Sequence, residues 1–192
     1  MAKTFVPVPS VASGTLLLRT DVASGVTAGQ VSGNGSGSIR NASIEYGGAN
    51  NLPPGCTGTC GNAQTALFVK DVGVNRTLNV SYSTIRDSLG KGLFAVDSPA
   101  LHFDNNRILA GRIGADLASD LTVSNLALIN QQLDALMIET GYSVDARHLT
   151  IAGAGRSGLH VYANATGLLR NSILSHNALA VWAEGSAQAN LD

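Results

Sequence analysis

The chain has 192 residues, 44% of them hydrophobic, with 12 Lys+Arg against 13 Asp+Glu and a formal charge of −1. That length suffices for one domain to bury a continuous core, and the charge balance gives no reason to wrap nucleic acid or adhere to an anionic membrane. No apolar run approaches the ~20 residues of a membrane span, so no membrane insertion is expected. Met1-Ala2-Lys3 is not followed by the apolar block of a signal peptide, so an export signal of a secreted protein would lie outside this chain. Gly, Ser and Asn number 22, 18 and 15 while only 13% of residues are charged, a composition suited to turns and poor for exposed helices.

In chain order, residues 1–13, with Phe5-Val-Pro-Val-Pro9, read as an N-terminal cap. A frame of alternating strand residues, a turn former and a late aliphatic anchor then recurs. It fits Thr15-x-Leu17-x-Arg19-x-x-Val22, Gly37-x-Ile39-x-Asn41-x-x-Ile44, Leu78-x-Val80-x-Tyr82-x-x-Ile85 and Leu101-x-Phe103-x-Asn105-x-x-Ile108. It continues through Leu121-x-Val123-x-Asn125-x-x-Leu128, Val144-x-Ala146-x-His148-x-x-Ile151 and Thr166-x-Leu168-x-Arg170-x-x-Ile173. The anchors lie 22, 41, 23, 20, 23 and 22 residues apart. A second motif, a small residue followed by aliphatic-x-aliphatic, follows the late anchors: Ala66-Leu67-Phe68-Val69, Ala135-Leu136-Met137-Ile138, Gly158-Leu159-His160-Val161 and Ala178-Leu179-Ala180-Val181. The one long spacing places an extruded loop at 49–63, rich in Gly and Pro. Cys56 and Cys60 both fall in it, and a disulfide between them would staple the loop and imply an oxidising compartment. A metal site there would need two further soft ligands that the neighbouring sequence lacks.

Three short strands per repeat, separated by bends, leave no room for a crossover helix, so the chain must coil. The prediction is a single all-β domain over 1–192, a right-handed single-stranded parallel β-helix of about seven coils with a ~22-residue repeat. Each repeat position then forms a file with ~4.8 Å between members. Leu136, Ile138, Leu159, Val161, Leu179 and Val181 point inward from one wall and Ile108, Leu128 and Ile151 from another. Leucine-rich repeats share the period but set their Asn one place later in a longer Leu-rich frame, and hexapeptide helices require a period of six that is absent. Asn41, Asn105 and Asn125 share one bend position and are expected to stack as a structural amide ladder.

Ile39-Arg-Asn-Ala-Ser-Ile44-Glu-Tyr-Gly-Gly48 resembles a segment common in bacterial extracellular members of the right-handed parallel β-helix repeat family, the pectin-lyase-like superfamily. Leu78-Asn-Val-Ser-Tyr-Ser-Thr-Ile-Arg-Asp-Ser88 followed by Gly92-Leu93 is similar to that family's generic coil. The resemblance covers nearly the whole chain and implies the fold; it implies no single activity, because the family holds lyases, hydrolases, tailspikes and adhesins. Enzymes of the superfamily commonly bind polysaccharide along the outward side of the second-motif strand.

The sequence frame places Lys70, Asp97, Asp116, Glu139, Tyr162 and Trp182 in one outward file of that strand, and Phe68, Phe94, Gly114, Met137, His160 and Ala180 in the other. Asp97, Asp116 and Glu139 at successive coils would repel unless a cation or substrate sat among them. Asp116 and Glu139 would have the carboxyl separation of a retaining glycosidase or could share Ca²⁺. Arg112 falls where other coils carry Ala or Gly and could neutralise Asp116. Phe94, Met137, His160, Tyr162 and Trp182 would form a substrate or docking platform. The catalytic signatures of polygalacturonases and pectate lyases are absent. The favoured expectation is therefore a noncatalytic extracellular or cell-surface rod, a binding or assembly module of a longer surface, secreted or virion-associated protein. Its partners would be a polysaccharide or another protein chain, with end-to-end or side-by-side oligomers. The alternative is a polysaccharide lyase or glycoside hydrolase acting through Asp97, Asp116, Glu139 and Arg112.

Overall fold

The computed structural model describes residues 15–18, 29–32, 36–45, 65–73, 75 and 77–192. The N-terminal cap over 1–13, the loop at 49–63 and the Cys56–Cys60 pair lie outside the described residues. All regular structure among the described residues is β. Strand β1 (Thr15–Leu18) precedes β2 (Gly29–Ser32), β3 (Gly37–Arg40) and β4 (Ser43–Glu45). Five successive three-strand turns follow. They are β5 (Thr65–Lys70), β6 (Leu78–Ser81) and β7 (Thr84–Arg86); then β8 (Lys91–Val96), β9 (Leu101–Asp104) and β10 (Arg107–Leu109). Next come β11 (Ile113–Ala118), β12 (Leu121–Ser124) and β13 (Ala127–Ile129), and β14 (Leu136–Ile138), β15 (Ser143–Arg147) and β16 (Thr150–Ala152). The fifth turn is β17 (Ser157–Val161), β18 (Thr166–Arg170) and β19 (Ile173–Ser175), and β20 (Leu179–Ala183) and β21 (Gln188–Leu191) open another.

Each third strand pairs in parallel with its equivalent one turn on, which builds three sheets. Sheet A runs β1-β2-β5-β8-β11-β14-β17-β20, sheet B β3-β6-β9-β12-β15-β18-β21, and sheet C β4-β7-β10-β13-β16-β19. The fold is the expected parallel β-helix, with a repeat of ~23 residues and about five turns rather than seven. The first supposed coil accounts for part of that difference. Thr15–Leu18 lies antiparallel on Gly29–Ser32 at the end of sheet A instead of starting a coil.

Ile44, Ile85, Ile108, Leu128 and Ile151 stand in one file, register partner on register partner, and belong to a single buried core cluster. The next member is Leu174, not the expected Ile173. In the fifth turn the register pairs Val144 with Gly167 and Ala146 with Leu169, one residue beyond the sequence frame. Because side chains alternate, that single step reverses their sides. Ile173 is 60% exposed and Leu174 packs on the core.

Bends form where a residue takes a left-handed backbone. Asn41, Tyr82, Asn105, Asn125, His148 and Asn171 do so after sheet B, with φ from 47° to 55°. Arg170, expected in that file, is the last residue of β18 instead. Asn tolerates this region better than other chiral residues, which explains its recurrence. The bonds that satisfy the buried bend come from the next residue along. Ser83 N donates to Asn106 Oδ1 at 2.9 Å, Asn106 Nδ2 to Val80 O at 2.7 Å, and Leu149 N to Ser172 Oγ at 3.0 Å. The side chains of Asn105 and Asn125 instead donate to Asp104, the latter at 2.9 Å. The inward polar ladder therefore runs one position later than the file of Asn41, Asn105 and Asn125.

Candidate functional site

The outer face of sheet A holds most of the candidates, but in a different register from that expected. Phe68 pairs with Phe94, Phe94 with Asp116, Asp116 with Met137, Met137 with His160, and His160 with Trp182. Asp116 and Trp182 therefore belong to the file of Phe94, Met137 and His160. Glu139 and Tyr162 follow directly on Ile138 and Val161, which are partners, and so share the other file. The sequence frame had slipped by two residues at β11 and at β20. A two-residue slip preserves which side each residue faces, so the outward assignment survives while the neighbours change. The small-residue position of the third turn is Gly114, where an added Cβ would lie 2.3 Å from the Ala135 carbonyl oxygen. Arg112 occupies the bend before β11, its carbonyl accepting from Leu133 N at 2.8 Å.

Asp116 is fully buried, and its cation is Lys91, with Nζ 2.5 Å from Oδ2. Lys91 also lies 3.7 Å from the centre of the Phe94 ring, a cation–π contact. Glu139 comes beside Asp116 from the adjacent strand. Burial, the Asp116 charge and a hydrogen bond to Asp116 push the Glu139 carboxyl above its usual range, with Lys91 opposing. One turn further, Tyr162 is pushed up to about 12 by burial and by the charges of Glu139, Asp116 and Asp134. Asp97 leaves this face altogether. It sits in the bend after β8 with φ 46°, and its Oδ1 accepts from the Tyr142 hydroxyl at 3.1 Å.

Residues that the sequence reading passed over complete the cluster. Asp134, fully buried, accepts from Arg156 Nε at 2.9 and 3.0 Å and from Ser157 Oγ at 2.5 Å. Burial alone would raise its carboxyl, but the Arg156 and Ser157 hydrogen bonds and the Arg156 charge hold it below the usual carboxylate range. His160 is stacked between Tyr162, 4.2 Å away, and Trp182, 4.4 Å away and within 5° of parallel. Its Nε2 meets Glu184 Oε1 at 2.9 Å and its Nδ1 faces Asp134 Oδ2 at 3.6 Å. Arg156 in turn lies 5.3 Å from the centre of the Trp182 ring.

No family model, no curated protein and no solved structure matches this chain. The chemistry has to be read from the site itself. Asp116, Lys91 and Glu139 form one closed group, and Asp134, Arg156, Ser157, His160 and Glu184 another. Phe68, Met137 and His160 are buried on this face although they lie outside the inner core cluster. The arrangement ties successive turns together, and it leaves Asp116 no surface on which to meet a substrate.

A second concave surface lies on sheet B. A groove of about 620 Å³ is lined by Ser38, Arg40, Asn79, Tyr82, His102 and Asp104, among others. Here Ser38, Asn79 and Ser81 are short and polar, and the lining side chains are exposed or half-buried apart from Val80. Nothing in the repeat pattern distinguishes sheet B from sheet A. In the sequence frame Tyr82, His148 and Arg170 all replace the Asn of that bend position, so Tyr82 did not stand out.

Proposed function

We propose that the chain is a noncatalytic β-helical rod module that works by presenting a binding face, as part of an extracellular surface, secreted or virion-associated assembly of the pectin-lyase-like type. One observation carries the noncatalytic reading: the most central candidate carboxylate, Asp116, is wholly buried and ion-paired with Lys91. A general acid or nucleophile must reach its substrate, and this one is occupied by its own neighbours.

The test is incubation with neutral and acidic glycans, followed by assay for new reducing ends and for unsaturated sugar ends. No turnover is expected. Turnover abolished by Asp116→Asn would overturn the proposal. It would establish the second reading, a glycosidase or polysaccharide lyase, which the raised Glu139 carboxyl beside the Asp116 carboxylate favours. A carboxyl raised above its usual range next to a second carboxyl group is the arrangement such enzymes use.

A further inference from the structure

We propose that the sheet B groove is the binding site of the rod, and that its ligand is a short oligosaccharide carrying an anionic group; this rests on the noncatalytic binding reading above. The first observation is Tyr82. It takes φ 51° at a bend position that Asn or His fills in every other described turn, and its side chain is 53% exposed. A bulky residue in the left-handed region is strained, and such strain persists where the surroundings or a function require it. About half of Tyr82 is exposed and it lies outside the buried core, so core packing does not require it. It lines the groove with an exposed ring.

The second observation is the polarity of the groove along the rod. Arg40 at one end lies over the Tyr82 ring, 4.8 Å from its centre, and has no carboxylate partner among the described residues. At the other end Asp104 is held by neutral donors only, Ser124 Oγ at 2.5 Å, Asn125 Nδ2 at 2.9 Å and Asn105. Between them lie Ser81 and the exposed Asn79 and His102. Arg40 pairs with Ser81 and Ser81 with Asp104, so the two ends are two strand spacings apart, roughly 10 Å. The ligand that satisfies this row has an anion at one end, hydroxyls that donate to a carboxylate at the other, and a ring that can lie on Tyr82. One guanidinium and no lysine line the groove, which excludes a polyanion such as nucleic acid. In the proposed complex the anion meets the Arg40 guanidinium, which has no carboxylate partner among the described residues, as a charge-assisted hydrogen bond.

The test uses the whole chain with maltotetraose and its singly sulfated and singly uronate-bearing derivatives, titrated by calorimetry. The charged derivatives should bind about tenfold more tightly than the neutral sugar, and comparing the two identifies which anion is preferred. Tyr82→Asn supplies the residue this bend favours, so its melting temperature should equal or exceed that of the parent while binding of all three falls about tenfold. Arg40→Ala should erase the preference for charge. Binding unchanged in Tyr82→Asn, or equal affinities for charged and neutral sugars, would overturn the proposal, as would no binding by the parent chain. Hydrolysis of the sugar would instead refute the noncatalytic reading, and binding that survives both substitutions would refute the groove alone.

Discussion

Lys91→Met isolates the buried ion pair that joins the second and third turns. Asp116 has no solvent-exposed surface, and the Lys91 side chain that neutralises it is 18% exposed. At 2.5 Å and an effective dielectric of about 20, two unit charges attract by roughly 7 kcal/mol. Most of that is offset by taking both ions out of water, so the intact pair adds little net stability. Removing Lys91 alone is different, because Asp116 then stays buried without a cation. Met keeps an unbranched apolar side chain of similar length and loses only the ammonium, so the loss reports the charge, its contact with the Phe94 ring included. The expected cost is about 3–5 kcal/mol, roughly 10 °C in melting temperature for a chain of this size. Urea and thermal unfolding followed by far-ultraviolet circular dichroism measure it. Adding Asp116→Asn to Lys91→Met should restore most of the loss, and Asp116→Asn alone should cost less, since Lys91 is close enough to solvent to turn outward. A Lys91→Met chain within about 0.5 kcal/mol of the parent, or a double variant no better than the single, would refute the argument.

Two further outcomes follow from the register and the electrostatics. Ile108→Ala, in the middle of the core file, should cost about 2–5 kcal/mol through cavity formation, whereas Ile173→Ala, exposed on sheet C, should cost no more than about 0.5 kcal/mol by the same denaturation measurement. A large loss at Ile173 would restore the register read from sequence. Because the folded state raises the Glu139 carboxyl, the folded chain holds that proton where the unfolded chain has released it. Stability therefore declines as pH rises from the ordinary glutamate range through the raised value, then levels off. Glu139→Gln should flatten the decline, visible as a stability difference that grows across that window and is absent below it; a pH-independent difference would remove Glu139 as its source.

The coil and its core were legible because they rest on parity and period. Ile85, Ile108, Leu128 and Ile151 repeat with an alternation that only one side of a strand can satisfy. Column membership was less legible, for a physical reason. At β11, Arg112-Ile113-Gly114 and Gly114-Ala115-Asp116 both satisfy the alternation, and only the close approach of the Ala135 carbonyl oxygen to Gly114 decides between them. The frame at β20 slipped the same way, which put Trp182 over Tyr162 instead of His160. At β18 the slip was a single residue, because Thr166-Gly-Leu-Leu-Arg170 offers two adjacent leucines and either could face inward. Asp134, Arg156 and Ser157 stayed hidden because they lie at strand starts and bends, where repeat arithmetic assigns no side.

The exposure of a residue on this rod depends less on which way it points than on what flanks it. Sheet A is outward-facing at Asp116, Met137 and His160, yet all three are buried. Around them stand the large side chains of neighbouring turns, Lys91 against Asp116 and Phe94, and Tyr162 and Trp182 against His160. Sheet B has the same spacing and pairing, but Ser38, Asn79 and Ser81 are too short to close over one another, so a groove remains. The acidic and aromatic residues that made sheet A conspicuous as chemistry are thus the ones that seal it. The proposed binding surface falls instead where the coil carries small polar residues, with Arg40, Tyr82 and His102 as its larger side chains.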